Sequence, residues 1–486
     1  MSFVRASRDN KRKKMLTLAD VIEAEQNVRP DRASLGISEA VVDSRQSIPA
    51  SLFVAIRGEK VDGHNYVSAA FKNGTHLALI QREIDPSIPV LDLRVPFTQD
   101  TAIPDPPFAI RVTDTVISLQ QLSGYWRKKF DLRVLGITGS VGKSTTKELV
   151  AEVLCQRYRT LKNQGNLNNE IGLPLTLLRL SAGYERAVLE MGFYQLGEIK
   201  FLCNLALPHV GILTNIGTVH AERAGSQEVI ARGKSELVQA LPAAPTGTAI
   251  LNMDDPWIVP MAKITHANVF FYGLNQAADL WADEIVGQGL NGIRFRLHYH
   301  GESFTIQAPV IGQHSIHTVL RAVAAGLVEG LSMDEIVHGL QQASSQLRLV
   351  AVHTKQGALL LDDTYNASPE STLAALNLLN ELPGRKIAVL GGMYELGMYE
   401  ETGHELVGIR AAEVADQLLT LGEHARMISS AAIKSGLSSS AVNNFDDSAG
   451  VVSALQSLLK EGDVVLVKGS HGLRMDRIVQ ALEVEE

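Results

Sequence analysis

A chain of 486 residues, 45% hydrophobic and 20% charged, has ample material for buried cores and, at usual domain sizes, for about three domains. A formal net charge of −8 argues against a general nucleic-acid binder, whose surface is basic, but not against an anionic ligand held by local lysines and helix ends. Two cysteines, Cys155 and Cys203, make neither a disulfide framework nor a metal-ligand spacing and fit a reducing compartment.

In chain order, the first features are basic. Arg5, Arg8, Lys11, Arg12, Lys13 and Lys14 precede Met15–Asp20, where an acid arrives too early for a signal-peptide core. No apolar run reaches the length of a membrane span, so a cytoplasmic location is expected. Short strands are predicted over Ser51–Ile56 and His76–Ile80. The proline-rich stretch Ile103–Pro107 reads as a linker that ends a first block, residues 1–108.

A second block, residues 109–345, begins with a predicted helix over Thr115–Lys129. The run Arg133–Ile137 then leads into Thr138-Gly139-Ser140-Val141-Gly142-Lys143-Ser144-Thr145, and an amphipathic stretch follows from Lys147 to Leu154. Strand, glycine-rich loop, lysine, hydroxyl and helix are the components of a triphosphate cradle. Glycines let backbone N–H groups approach phosphate oxygens, and the helix N-terminus adds partial positive charge. Lys143 adds a full charge, and the Ser144 hydroxyl suits Mg²⁺. The loop departs from the strict P-loop pattern, because Ile137 stands where the first glycine belongs.

Further apolar runs, Ala187–Gly192, Val210–Asn215 and Ala249–Asp254, end in polar or glycine residues. They predict a parallel sheet covered on both faces, with ligands at the strand ends where Glu190 and Thr214-Asn215 fall. A third block, residues 346–486, repeats the pattern at Ala358–Asp363, Ile387–Gly391 and Val464–Gly469. It is expected to be a smaller Rossmann-like domain without a dinucleotide fingerprint.

Four polar clusters stand in this apolar text: Asn166–Pro174, Glu190–Gly192, Thr214–Glu222 and Arg232–Leu237. In this order, with the glycine loop, they closely resemble the Mur ligase family, the ATP-dependent amide-bond formers of peptidoglycan synthesis. The resemblance covers nearly the whole chain. It implies an α/β fold of three domains: an N-terminal uridine-nucleotide-binding α/β domain, a central P-loop-type parallel-sheet ATPase domain, and a C-terminal Rossmann-like domain that closes over ATP and binds the amine substrate. Asp43-Ser44-Arg45, Leu52–Gly58 and Asp62–His64 are similar to the uridine-nucleotide domain of the two later-acting ligases. Asp362–Pro369, Leu390–Gly397 and Val467–Asp476 are similar to the members that add D-alanyl-D-alanine, and no Asp-Asn-Pro-Arg motif of the preceding ligase is present.

The implied reaction converts the carboxylate of UDP-N-acetylmuramoyl-tripeptide into an acyl phosphate with ATP, after which the amine of D-alanyl-D-alanine attacks. Both steps build negative charge that needs fixed positive partners. The resemblance assigns ATP to Gly139–Thr145, Arg348 and Asp363, and catalysis to Lys143, Glu190, His220 and Lys234. It implies two Mg²⁺ ions among Ser144, Glu190, His220 and Lys234. An ammonium ion is no ligand for Mg²⁺, and the resemblance implies that Lys234 is carbamylated by CO₂, against a plain lysine reaching the γ-phosphate. His220 is an unusual Mg²⁺ ligand. Ser44 and Arg45 are assigned to the uridine diphosphate end, Asn168 and Asn169 to the acceptor carboxylate, and Glu395, Lys468 and Ser470 to the incoming dipeptide.

Plainer readings stay open for several of these: turn chemistry for the asparagines, an ion pair for Arg348 and Asp363, a solvated side chain for Arg45. Departures from the family text occur at Gly392, often an acid, and His471, often arginine. Ser315 and Thr318 stand where asparagines are common. Neither nucleic acid nor membrane is implied as a partner, and a monomer is expected. The alternatives are a sister ligase with another amine donor, such as a diamino acid, and a nucleotide-sugar-binding paralogue without catalysis.

Overall fold

The computed structural model describes residues 15–218, 221–342 and 350–483. It divides into two compact units, one of residues 1–136, 158–192 and 200–209, the other of residues 137–157, 193–199 and 210–486.

In the first unit, β1 (Ala40–Val41), β2 (Leu52–Val54), β3 (Leu77–Ile80), β4 (Val90–Asp92) and β5 (Phe108–Arg111) form a parallel sheet in the order β1-β2-β3-β5-β4. Phe53, Ala55, Ala78, Ile80 and Ala109 make one side of its core. The proline-rich stretch expected as a linker does not end this sheet. It leads directly into β5, whose Phe108, Ala109 and Ile110 are fully buried between β3 and β4. The prolines lie just before the paired residues, where no ladder N–H is needed, so they interrupt the chain without removing the strand. The next helix, Thr115–Arg127, matches the predicted one, and Asp114 starts it by accepting the N–H groups of Val116 and Ile117 at 2.8 and 2.9 Å. Trp126 Nε1 donates to Leu180 O at 3.1 Å, which satisfies the indole where it is buried.

β6 (Arg133–Thr138) contributes its first four residues to the first unit and its last two to the second. In the first unit it lies beside β8 (Arg186–Glu190), which pairs in parallel with β7 (Thr160–Lys162).

In the second unit β6 is followed outward by β9 (Val210–Leu213), β10 (Thr248–Asn252), β11 (Asn268–Gly273), β12 (Leu280–Gly287), β13 (Ile293–Tyr299) and β14 (Glu302–Ala308). The ladder is parallel from β9 to β12, but β12–β13 and β13–β14 are antiparallel. That edge departs from the all-parallel expectation. Its residues alternate, with Ile293, Phe295 and Leu297 buried and Arg294 exposed between them, the pattern of a strand wet on one face.

The second unit also holds a six-stranded sheet of β15 (Val350–His353), β16 (Leu359–Asp363), β17 (Lys386–Gly391), β18 (Gln417–Leu421), β19 (Val442–Phe445) and β20 (Val464–Lys468). Its order is β15-β16-β20-β17-β18-β19, parallel except for β15. The expected start of this block, residue 346, lies outside the described residues. Among the described residues no helix is long and apolar enough to cross a membrane.

Candidate functional site

The glycine loop leaves β6 at Thr138 and enters the helix Lys143–Cys155, which starts four residues earlier than the amphipathic pattern predicted. Gly139 has φ +148° and Gly142 φ +79°. A Cβ at Gly139 would stand 1.8 Å from Thr214 Oγ1, so space and backbone conformation both require glycine there. The segment after β9 pins the loop. Ser140 N donates to Asn215 O at 2.9 Å, Val141 N to Asn215 Oδ1 at 2.9 Å, and Gly217 N to Ser140 Oγ at 2.8 Å. Ser144 is buried in the first helical turn beside half-buried Thr145.

Two lysines converge on this loop. Lys143 Nζ donates to Gly139 O at 2.9 Å and Ser140 O at 3.1 Å. Lys234, on the helix Gln227–Gln239, donates to the same Gly139 O at 3.0 Å. Its side chain is 1% exposed and its ammonium lies 4.9 Å from the centre of the Phe193 ring. Burial, then the neighbouring charge of Lys143, holds the Lys234 amine well below the usual lysine range. The two side chains thus bring one ammonium and one buried amine to a single loop carbonyl.

In the first unit, Glu190 ends β8 and is buried. Its Oε1 accepts from Asn168 Nδ2 at 2.8 Å, and its backbone exchanges hydrogen bonds with the side chain of buried Asn163 at 3.0 and 3.1 Å. Asn168 is thus brought to the Glu190 carboxylate, a contact that sequence reasoning did not anticipate. Asn169 Oδ1 accepts from Gly172 N at 2.8 Å, in the turn that leads into the helix Gly172–Leu178. Ser44 is buried, and its carbonyl accepts from Asn73 Nδ2 at 2.9 Å. Arg45 is held by Asp43 at 2.7 Å with its side chain 88% exposed.

In the six-stranded sheet, Asp363 and Lys468 are register partners at the carboxyl ends of β16 and β20. Lys468 Nζ donates to Asp363 Oδ2 at 2.7 Å and to Asn366 O at 2.9 Å. A residue expected at ATP and one expected at the dipeptide are therefore one ion pair. Ser470 Oγ accepts from Tyr394 N at 3.0 Å. Glu395 takes φ +61°, and its carbonyl accepts from Glu222 N at 3.2 Å. His220 and Arg348 lie outside the described residues.

The departures also have structural settings. A Cβ at Gly392 would meet His424 Cβ at 2.9 Å, so the His424–Glu400 pair fills the place beside it. His471 presents its ring edge to Tyr365. Ser315 Oγ donates to Ile311 O at 2.7 Å, and Thr318 Oγ1 accepts from Arg321 Nη2 at 2.7 Å. Sequence reasoning missed Arg321 and Glu370. Arg321 carried a signal, an arginine inside the apolar helix Ile316–Val328. Glu370 carried none. Its Oε1 accepts from Thr218 N at 2.9 Å and Thr218 Oγ1 at 3.2 Å, which ties the helix Pro369–Glu381 to the segment that pins the glycine loop.

Among the described residues, no three His, Cys, Asp or Glu side chains cluster as a metal site. A hard cation bound mostly by phosphate oxygens, water and a single carboxylate needs no such cluster. The loop offers what an anion–metal pair requires: a backbone cradle with no room for a Cβ at Gly139, the ammonium of Lys143, the buried amine of Lys234 and a helix-start hydroxyl.

Residues 137–326 match the Mur ligase middle domain, and residues 347–471 match the Mur ligase, glutamate ligase domain. The chain is 33% identical over 453 residues to the UDP-N-acetylmuramoyl-tripeptide–D-alanyl-D-alanine ligase of Bacillus subtilis strain 168, covering 92% of this chain and 93% of that protein. Identity to the Escherichia coli K12 protein of that name is 33% over 457 residues, 93% of this chain and 95% of the other. The fold is similar to MurF from Acinetobacter baumannii, with TM-score 0.81, 29% identity, and coverage of 96% of this chain and 98% of that one. The MurF ligase from Thermotoga maritima in complex with ADP matches at TM-score 0.74 and 28% identity, over 91% and 96% of the two chains. A matched middle and last domain, relatives alike from end to end, and a glycine loop gripped by two lysines place this chain in the Mur ligase family.

Proposed function

We propose that this chain is an ATP-dependent ligase that joins D-alanyl-D-alanine to UDP-N-acetylmuramoyl-tripeptide in peptidoglycan precursor synthesis. The observation that carries the proposal is similarity to ligases of that reaction over more than nine-tenths of the chain, together with an intact phosphate cradle. The triphosphate lies along the N–H groups of Gly139–Thr145, with Lys143 neutralising charge as the γ-phosphoryl group moves to the acceptor carboxylate. ADP is the product of that transfer; the free amine of the dipeptide then attacks the acyl carbonyl, losing a proton as the C–N bond forms, and the C–O bond breaks to release inorganic phosphate.

Ser144 and Glu190 are the residues that would hold Mg²⁺, with His220 and a carbamylated Lys234 completing a second ion. Mg²⁺ supplies charge neutralisation of the phosphate oxygens. Lys234 supports this reading because burial favours its neutral amine, the form that combines with CO₂. Ser44 and Arg45 address the uridine diphosphate end of the acceptor. Asn168 and Asn169 flank its carboxylate. Arg348 and Asp363 meet ATP, and Glu395, Lys468 and Ser470 meet the dipeptide.

A phosphate-release assay with the muramoyl-tripeptide acceptor and a panel of amines tests the proposal. Release is expected only with ATP, acceptor and D-alanyl-D-alanine together, and Lys143→Ala is expected to slow it by about 10²-fold or more, the scale of one lost charge stabiliser. Release with a diamino acid instead of the dipeptide would identify a sister ligase. No release with any amine would identify a binding paralogue.

A further inference from the structure

Arg321 is 4% exposed, and a guanidinium cannot shed its charge when buried. Among the described residues its hydrogen-bond partners are all hydroxyls, and its Cζ lies 5.9 Å from the centre of the Tyr272 ring. Nε donates to Thr146 Oγ1 at 2.8 Å, Nη1 to Tyr272 Oη at 3.2 Å, and Nη2 to Thr318 Oγ1 at 2.7 Å. Among the described residues no carboxylate is paired with it. Tyr272 Oη in turn donates to Leu213 O and Thr214 O at 3.0 and 3.2 Å, so this oxygen is a neutral acceptor already in use. Burying a cation among neutral groups is costly, and a bridge between helices and strands does not require a charge. The guanidinium also lies against the glycine loop: Nη2 would stand 3.2 Å from a Cβ at Gly142, and Thr146 is in the first turn of the helix that the loop enters.

We propose that Arg321 is a positioning residue of the nucleotide site, a fixed buried charge placed behind the glycine loop whose counter-ion is the bound polyphosphate. The inference rests on the nucleotide reading of that loop. Arg321 acts through the field at the helix start and through Thr146, without touching the reacting atoms. It adds to Lys143 a second fixed cation at the loop, one that is sealed from solvent and has no carboxylate partner among the described residues. Thr318, a departure from the family text, is the hydroxyl that orients one arm of the guanidinium.

The test uses the full chain and Mg²⁺-ADP as probe, with affinity read by calorimetry and thermal midpoints measured with and without ADP. Arg321→Met is expected to weaken ADP by about tenfold or more and to shrink the ADP-induced rise in midpoint, while the ligand-free midpoint stays equal or rises. Arg321→Lys keeps the charge without the fork of hydrogen bonds. It is expected to bind ADP within about threefold of the natural chain. Unchanged ADP affinity in Arg321→Met overturns the proposal. So does an equal loss in both variants, which would mark a structural bridge. Should Arg321→Met not fold, Arg321→Lys decides alone: retained affinity supports the charge role, and lost affinity overturns it. A natural chain that binds no ADP would remove the nucleotide reading itself, an outcome distinct from all of these.

Discussion

At the scale of single residues, the site is governed by what burial does to amines. Lys143 and Lys234 share the Gly139 carbonyl, but Lys234 is the one sealed from water with a like charge beside it. The neutral amine so favoured is a nucleophile toward CO₂, and its carbamate would turn a misplaced cation into an oxygen ligand for a hard metal. With ¹³C-labelled bicarbonate and Mg²⁺-ADP, one new carbamate carbonyl resonance is expected, absent in Lys234→Met. A spectrum identical in the two proteins would leave Lys234 a plain amine.

Among elements, the C-terminal sheet is held at its functional edge by a buried histidine. His404 is fully buried; its Nε2 accepts from Met393 N at 3.0 Å, and its Nδ1 lies 2.7 Å from Glu400 O. This arrangement needs a neutral ring with the proton on Nδ1. Burial first, with a smaller push from His424 and opposed by Glu400, lowers its pKa from the ordinary 6.5. Below pH 6.5 the unfolded chain therefore binds a proton that the folded chain refuses. Stability falls as pH drops toward the lowered folded value, by at most about 1.4 kcal/mol per pH unit from this group, and levels off below it. Urea unfolding between pH 7.5 and 5 is expected to show a steeper loss in the natural chain than in His404→Gln, whose amide oxygen still accepts from Met393. Parallel profiles would mean that His404 does not carry the dependence.

At the scale of the molecule, contacts around the segment that follows β9 join the two sheets of the second unit. Glu370 grips Thr218, Glu395 O receives Glu222 N, and Gly397 packs so close to Glu222 that an added Cβ would approach its Cα to 2.7 Å. The first contact bears on chemistry, because Gly217, next to Thr218, is bonded to Ser140 in the glycine loop. Glu370→Ala is expected to raise the KM for ATP by about tenfold, the scale of ~1.5 kcal/mol for a hydrogen bond to a charged group, with Glu370→Gln intermediate. Steady-state kinetics at varied ATP check this, and an unaltered KM in Glu370→Ala would show that the contact does not reach the loop.

Much of this chain was legible before folding. The strands at Leu77–Ile80, Lys386–Gly391 and Val464–Lys468 and the helix Thr115–Arg127 follow from short apolar runs and helical periodicity, which are local properties. The glycine loop was legible for the same reason, since its residue types are adjacent in sequence. Position in space was not legible. That Lys234 meets Gly139, that Asp363 and Lys468 form one pair, and that buried Arg321 meets hydroxyls and no carboxylate among the described residues are facts of strand register and helix packing, set by residues far apart in the chain. The composition of the site is written locally; its charge balance is not, because burial and the distance between charges exist only once the sheets have closed around them.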